Sequence, residues 1–214
     1  MSPPAATVTA RRGGARHRAV VRRRRIRLGI SAFLGAVALA VVLAMPLFRK
    51  AVNELTLPLA YSNVIRDQAA AKHLDPALIA AVIYAETKFD PRQSSAGAEG
   101  LMQILPGTAV YLAHRSGATT FTVSDLATPQ VNIAYGSYYL RYLLNQFGGS
   151  ETLALAAYNG GMTNVDRWVA QAHSQGGDLS VGQIPFPETR AYVERVLQAQ
   201  RDYRHTYARQ LGYS

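Results

Sequence analysis

Apolar residues recur along this chain at helical spacing, and no run shows the strict alternation of a half-buried strand. In LDPALIAAVIYAETKFD, residues 74–90, Ile79, Val82 and Ile83 lie on one helical face, and Glu86 takes the next position of that face. Asp75-Pro76 is a helix-start signal, with Asp as cap and Pro at the first position, and Asp90-Pro91 is a stop signal. The same reading gives helices in YSNVIRDQAAAKHL from Tyr61 and in PGTAVYLAHR from Pro106. The clearest is TPQVNIAYGSYYLRYLLNQFGG, opened by Thr128-Pro129 and closed by Gly148-Gly149. SETLALAAYNGG opens on a Ser cap, TNVDRWVAQA follows, and a last long helix starts near Pro187. PRQSSAGAEG and the Gly/Ser-rich segment 174–182 read as loops. The expected fold is all-α, in a domain of about 150 residues, a size that buries a proper core.

Four polar groups interrupt this pattern. Glu86 sits where the core should be, which is costly unless the group is paired, protonated or needed. Gln103 lies inside the apolar segment GLMQILPGTA, Tyr158 and Asn159 end a small-residue helix, and Glu188 occupies the first turn of the last helix. Each has a plain explanation alone: a paired helix-end carboxylate, a satisfied amide, a core tyrosine, a residue complementing the helix dipole. Together they predict a cleft.

Charge changes the picture at one end only. The 214-residue chain carries a formal charge of +10, yet residues 1–48 hold nine arginines and no acid, while residues 51–214 hold twelve Lys and Arg against thirteen Asp and Glu. A nucleic-acid-binding domain is therefore not expected. After RRRRIR comes LGISAFLGAVALAVVLAMPLF, 21 residues without a charge. A bilayer core needs roughly 20 apolar residues as a helix, and flanking arginines stay in the cytoplasm. Residues 28–48 are thus expected to be a transmembrane signal-anchor. It would follow a disordered basic tail, 1–27, and precede a connector, 49–60, and an extracytoplasmic domain, 61–214. A signal peptide cut after Ala44 fits less well, because such apolar regions usually run about 7–15 residues. The absence of cysteine excludes disulfides and thiolate chemistry, and the five histidines show no ligand spacing, so no metal or cofactor is expected.

The order AETKFDP, SSAGAEGLMQILPGTA, AAYNGG, PETRAYVERV resembles the soluble-type (SLT, family 1) lytic transglycosylases over roughly residues 61–205. The resemblance implies a lysozyme-like helical domain related to goose-type lysozyme. It also implies cleavage of the β-1,4 bond between N-acetylmuramic acid and N-acetylglucosamine of peptidoglycan, ending in a 1,6-anhydro ring. On these motifs Glu86 matches the catalytic acid. Ser94, or its neighbour Ser95, matches a saccharide-contacting serine. Met102 and Gln103 match groove-lining residues, Tyr158 the tyrosine pointing at the catalytic centre, and Asn159 its neighbour. Glu188 and Tyr192 match positions that close the groove.

The chemistry suits these residue types. Protonating a glycosidic oxygen near neutral pH requires a carboxyl whose pKa is raised, as in an apolar pocket. Ordinary glycosidases add a second carboxylate, and none is evident here: Asp90 follows the helix stop and Glu99 lies in a loop. One carboxylate suffices if the muramoyl 6-hydroxyl is the nucleophile. The competing readings are a muramidase, with water as nucleophile, and a catalytically inactive glycan-binding or scaffold protein. The expected partners are glycan strands and the membrane.

Overall fold

The computed structural model describes residues 57–213 together with Val41, Val42, Ala44 and Met45. The expected tail, and most of the expected anchor and connector, lie outside the described residues. Val41, Val42, Ala44 and Met45 are helical and exposed, and among the described residues no helix is long and apolar enough to cross a membrane. Contacts divide the chain into two units, Met1–Leu55 and Thr56–Ser214.

The second unit contains seven α-helices among its described residues: α1 (Ser62–Lys72), α2 (Pro76–Thr87), α3 (Pro106–Ser116), α4 (Pro129–Gln146), α5 (Glu151–Gly160), α6 (Met162–Ser174) and α7 (Pro187–Thr206). Short 3-10 turns cover Val123–Ala127 and Val181–Gln183, and an isolated antiparallel bridge joins Glu99 to Ile104. Each expected helix is present within a few residues of its expected ends. Pro occupies the first turn of α2, α3, α4 and α7, where its missing N–H leaves no helix bond unmade.

Helix α2 is the centre. Every residue from Ala77 to Ile83 is essentially inaccessible, so the helix has no solvent face, as expected of one that is apolar all round. Its most extensive packing is against α7, which presents Tyr192, Val193, Val196, Ala199 and Tyr203; α5 also packs on α7 and α4, and α1 contacts α2 and α4. Burying each of Leu78, Ile79 and Ile83 contributes roughly 1.5–3 kcal/mol. At the start of α2, the Asp75 carboxylate accepts from Ala77 N–H at 2.9 Å and from Gln200 at 2.8 Å, and also from Arg204 and Tyr213. Burial pushes the Asp75 carboxyl up, but the bonds from Tyr213, Gln200 and Arg204 outweigh it and hold the pKa below the ordinary value.

The domain begins earlier than Tyr61. Tyr207 donates to the Leu57 carbonyl at 2.8 Å and Tyr203 donates to the Pro58 carbonyl at 2.5 Å, while Leu57 and Leu59 pack on the core. The last residues of the expected connector are therefore docked on α7.

A buried asparagine holds the loop after α2. Asn132, in the first turn of α4, accepts from Met102 N–H at 2.8 Å and donates to the Glu99 and Leu126 carbonyls at 2.8 and 3.0 Å. Two glycines allow the approach. A Cβ at Gly100, where φ is +73°, would lie 2.2 Å from the Asn132 amide, and one at Gly136 would lie 2.3 Å from the Met102 sulfur. Asn132→Ala would strand the Met102 N–H and the Leu126 carbonyl in the interior and leave the Glu99 carbonyl only its bond from Ile104 N–H, and unmet buried groups cost about 1–3 kcal/mol each. We expect the variant to lose about 3 kcal/mol of unfolding free energy in urea titrations; a loss below about 0.5 kcal/mol, the range of neutral surface changes, would remove Asn132 from that role.

Candidate active site

Glu86 projects from the last turn of α2. Immediately after it the backbone leaves the helix through two successive left-handed residues, Lys88 (φ 53°) and Phe89 (φ 65°). Non-glycine residues rarely adopt this conformation, and clusters of such strain accompany functional sites. The turn places the 90–105 loop back over the helix end. Thr87, fully buried, donates to the Leu101 carbonyl at 2.8 Å, with the Ile83 carbonyl at 3.2 Å, and Arg92 donates to the Glu86 backbone carbonyl at 3.3 Å. The hydroxyl of Thr87 thus serves the loop and not the carboxylate.

The Glu86 carboxyl is mostly enclosed, and burial raises its pKa to about 7; Tyr192 and the Arg195 charge oppose that rise. No second carboxylate is among the groups acting on it. Tyr192 is only 2% exposed, and its hydroxyl is sealed from water. It faces Glu86 closely enough to favour the carboxylate, but stops short of a well-formed hydrogen bond. The Arg195 guanidinium lies 5.8 Å from the centre of the Tyr192 ring, one turn further along α7. Tyr158, from α5, donates to the Met102 carbonyl at 2.8 Å. Burial first, and then the Glu86 charge, push the hydroxyls of Tyr158 and Tyr192 well above the ordinary tyrosine range. Both stay protonated beside the carboxyl.

The other expected residues divide by what they touch. Met102, expected to line the groove, has its side chain fully buried against Gly136, and its carbonyl accepts from Tyr158. Tyr192 likewise is enclosed beside Glu86 and not part of an open groove wall. Gln103, at φ 47°, spends its amide N–H₂ on the Arg92 and Gly100 carbonyls at 2.7 and 2.8 Å, leaving its side-chain oxygen for another donor. Ser94 Oγ accepts from Ala98 N–H at 3.0 Å and shapes the loop, whereas Ser95 is exposed. Asn159 accepts from Thr189 at 2.8 Å, which leaves its N–H₂ for another partner. Glu188 is exposed at the first turn of α7.

Sequence reading missed three participants. Arg195 is an ordinary helix cation until α7 is placed against α2. Asn132 reads as a helix-start residue. Tyr139 packs on Tyr158 with ring centres 5.2 Å apart and planes tilted by 43°; its hydroxyl is pushed up to about 12 by burial and then by Tyr142 and Tyr111. The signal available for Tyr139 was its place with Tyr135 and Tyr142 at i, i+4 and i+7. Among the described residues no group of His, Cys, Asp and Glu could hold a metal.

An enclosed acid with a pKa near neutrality, between two protonated tyrosines, can give and take a proton at one atom. The Transglycosylase SLT domain matches residues 63–181. The soluble lytic murein transglycosylase of Salmonella typhimurium is 35% identical over 160 residues, 71% of this chain and 24% of that protein. The membrane-bound lytic murein transglycosylase C of Cronobacter sakazakii is 32% identical, over 67% of this chain and 46% of its own. The crystal structure of the 70 kDa soluble lytic transglycosylase from Escherichia coli superposes with a TM-score of 0.68 at 31% identity, over 75% of this chain and 27% of that one. The chain therefore spans about a quarter of the length of the soluble relative it matches. With the domain matched over more than half of its 214 residues, and with the fold of a solved relative, the chain belongs to the family of SLT-domain transglycosylases.

Proposed function

We propose that this chain is a peptidoglycan lytic transglycosylase, cleaving the β-1,4 bond between N-acetylmuramic acid and N-acetylglucosamine without water. The observation that carries the reading is the single enclosed carboxyl, with its pKa raised to about 7 and no second carboxylate acting on it. Glu86 gives its proton to the glycosidic oxygen as the bond to C1 breaks, and the substrate's own acetamido carbonyl stabilises the positive charge at C1. The muramoyl 6-hydroxyl then attacks C1, and Glu86, now a carboxylate, takes its proton. The enzyme ends as it began, and the product carries the 1,6-anhydro ring.

The neighbouring groups fit these steps. Tyr192 and Arg195 favour the carboxylate that forms after the first proton transfer. Tyr158 ties the site to the Met102 carbonyl and fixes the loop. The free oxygen of Gln103 and the free N–H₂ of Asn159 are suited to acetamido groups, and Ser94 or Ser95 to a saccharide hydroxyl. Exposed Glu188 stands at the groove's edge. The N-terminal segment 28–48 would hold the enzyme in the cytoplasmic membrane with its domain outside; this rests on apolar length and flanking arginines.

Three outcomes test this reading. Purified peptidoglycan digested by the wild-type chain should yield anhydro ends, about 18 Da lighter than hydrolysed ends, and Glu86→Gln should reduce their release by at least about a thousandfold. Reducing ends by mass spectrometry would make water the nucleophile. Stability gives a second readout. Because the folded pKa of about 7 lies above the ordinary glutamate value of 4.5, stability present below the lower value is lost as pH rises through the higher. The gap corresponds to about 3 kcal/mol. Glu86→Gln should match the parent near about pH 4 and exceed it by up to about 3 kcal/mol near about pH 8 in urea titrations; a constant offset would place the carboxyl in water. Third, the full chain should partition into membranes, and residues 51–214, which keep the docked Leu57 segment, should be soluble and active. An insoluble or inactive fragment would overturn that boundary.

A further inference from the structure

A row of tyrosines leads away from the catalytic carboxyl. Tyr158 on α5 meets Tyr139 on α4 with ring centres 5.2 Å apart. Tyr139 is followed one turn later by Tyr142, at 6.4 Å and nearly parallel, with 16° between planes. Tyr142 meets Tyr111 on α3 edge-on at 5.9 Å, and their hydroxyls share a hydrogen bond of 3.2 Å. Exposure grows outward: Tyr142 is partly accessible, and Tyr111 is 44% exposed. Leu105 and Val110, at the start and middle of α3, are also exposed. At the outer end, the Arg115 guanidinium lies 4.8 Å from the centre of the Tyr142 ring.

We propose that this row, ending in Arg115, binds the carboxylate-bearing peptide stem of the glycan strand; the assignment of the ligand rests on the peptidoglycan reading above. Three observations carry it. The row is continuous with the site, because its inner member, Tyr158, donates to the Met102 carbonyl of the 90–105 loop and feels the Glu86 charge. A neutral saccharide stacks on aromatic faces and needs no cation, so a guanidinium at the row's end selects for a negative group. Arg115 is available for that group: its guanidinium carbon lies over the Tyr142 ring, and its N–H groups, which recognise carboxylates in a two-pronged fashion, are paired with no carboxylate among the described residues. The charge of Asp166 on α6 also reaches the Tyr142 hydroxyl, more weakly than the groups nearer to it, and Asp166 forms no ion pair with Arg115 among the described residues. Contacts made this far from the reacting bond hold the muramoyl unit against Glu86 and reduce the freedom that must be lost in the transition state.

The test is binding by the full chain carrying Glu86→Gln, which prevents turnover, in detergent. The probes are a disaccharide-tetrapeptide and the same disaccharide with its peptide removed by an amidase and the lactyl carboxylate so exposed converted to its amide. Adding Arg115→Gln should weaken the peptide-bearing probe about five- to tenfold, the range of a charge-assisted contact near the surface, and should change affinity for the peptide-free probe by less than twofold. Arg115→Lys, which keeps charge without the fork, should fall between. Tyr111→Ala, outside the core and therefore safe for folding, should reproduce the loss for the peptide-bearing probe. Equal weakening of both probes, or no weakening of either, overturns the proposal. The chemistry reads out separately. If the wild-type chain releases no anhydro ends while the Arg115 selectivity stands, the lyase reading fails and the stem subsite holds; anhydro ends without Arg115 selectivity give the converse.

Discussion

Helix α2 is buried from Ala77 to Ile83, and Glu86, the proposed acid, stands on its last turn. That constraint organises the domain. A helix packed against α7 and α1 and buried from Ala77 to Ile83 cannot expose a side chain along that length, which leaves its C-terminal end as the outlet. There Lys88 and Phe89 turn the chain sharply in left-handed conformations and send the 90–105 loop back across the opening. Asn132 and Thr87 then hold that loop by buried hydrogen bonds. The carboxyl is left in an enclosure made by the core itself, which is why burial is the largest influence on its pKa.

Burial alone would leave a carboxyl too weak as an acid and too easily kept protonated. A group that gives a proton and then takes one works best with its pKa near the working pH. Tyr192 and Arg195 supply the counterweight, and both stand on α7, the helix that packs most closely on α2. The packing that encloses Glu86 therefore also delivers the groups that limit the effect of enclosure. The Asp75 network at the other end of α2 joins the same two helices through Gln200 and Arg204. Both ends of the α2–α7 contact are thus fixed by polar groups, and the distance between Glu86 and Tyr192 follows from the register of the apolar residues between them.

Much of this was legible in the sequence. The start of α2 was set by Asp75-Pro76, and the glycines and prolines marked the other helices closely. The end of α2 was not: the helix stops at Thr87, before the Asp90-Pro91 signal, because Lys88 and Phe89 leave the helical region for reasons of tertiary fit. Motif adjacency pointed to Glu86 and its neighbours as candidates but could not give side-chain direction. Met102 and Gln103 are neighbours in sequence, yet one faces the core under Gly136 and the other faces the loop. Tyr192 sits in a motif next to exposed Ala191, and only the placement of α7 shows that it is buried. Arg195 was invisible for the same reason, since its influence depends on a helix more than a hundred residues away in sequence.

The tyrosines show how one helix can serve core and site together. On α4, Leu140, Leu143 and Leu144 face inward, while Tyr139 and Tyr142 occupy the margin between core and solvent. Tyrosine suits that margin because its ring packs on apolar neighbours while its hydroxyl finds a polar partner. Each ring is held by another ring or by a hydroxyl bond, from Tyr158 to Tyr111. Side chains fixed in this way lose little further freedom when a ligand settles on them. Glu86, Tyr158, Tyr192 and the loop carbonyl of Met102 come from four separate parts of the chain, so their geometry is set by helix packing, the kind of fixed arrangement that the proposed proton transfers require.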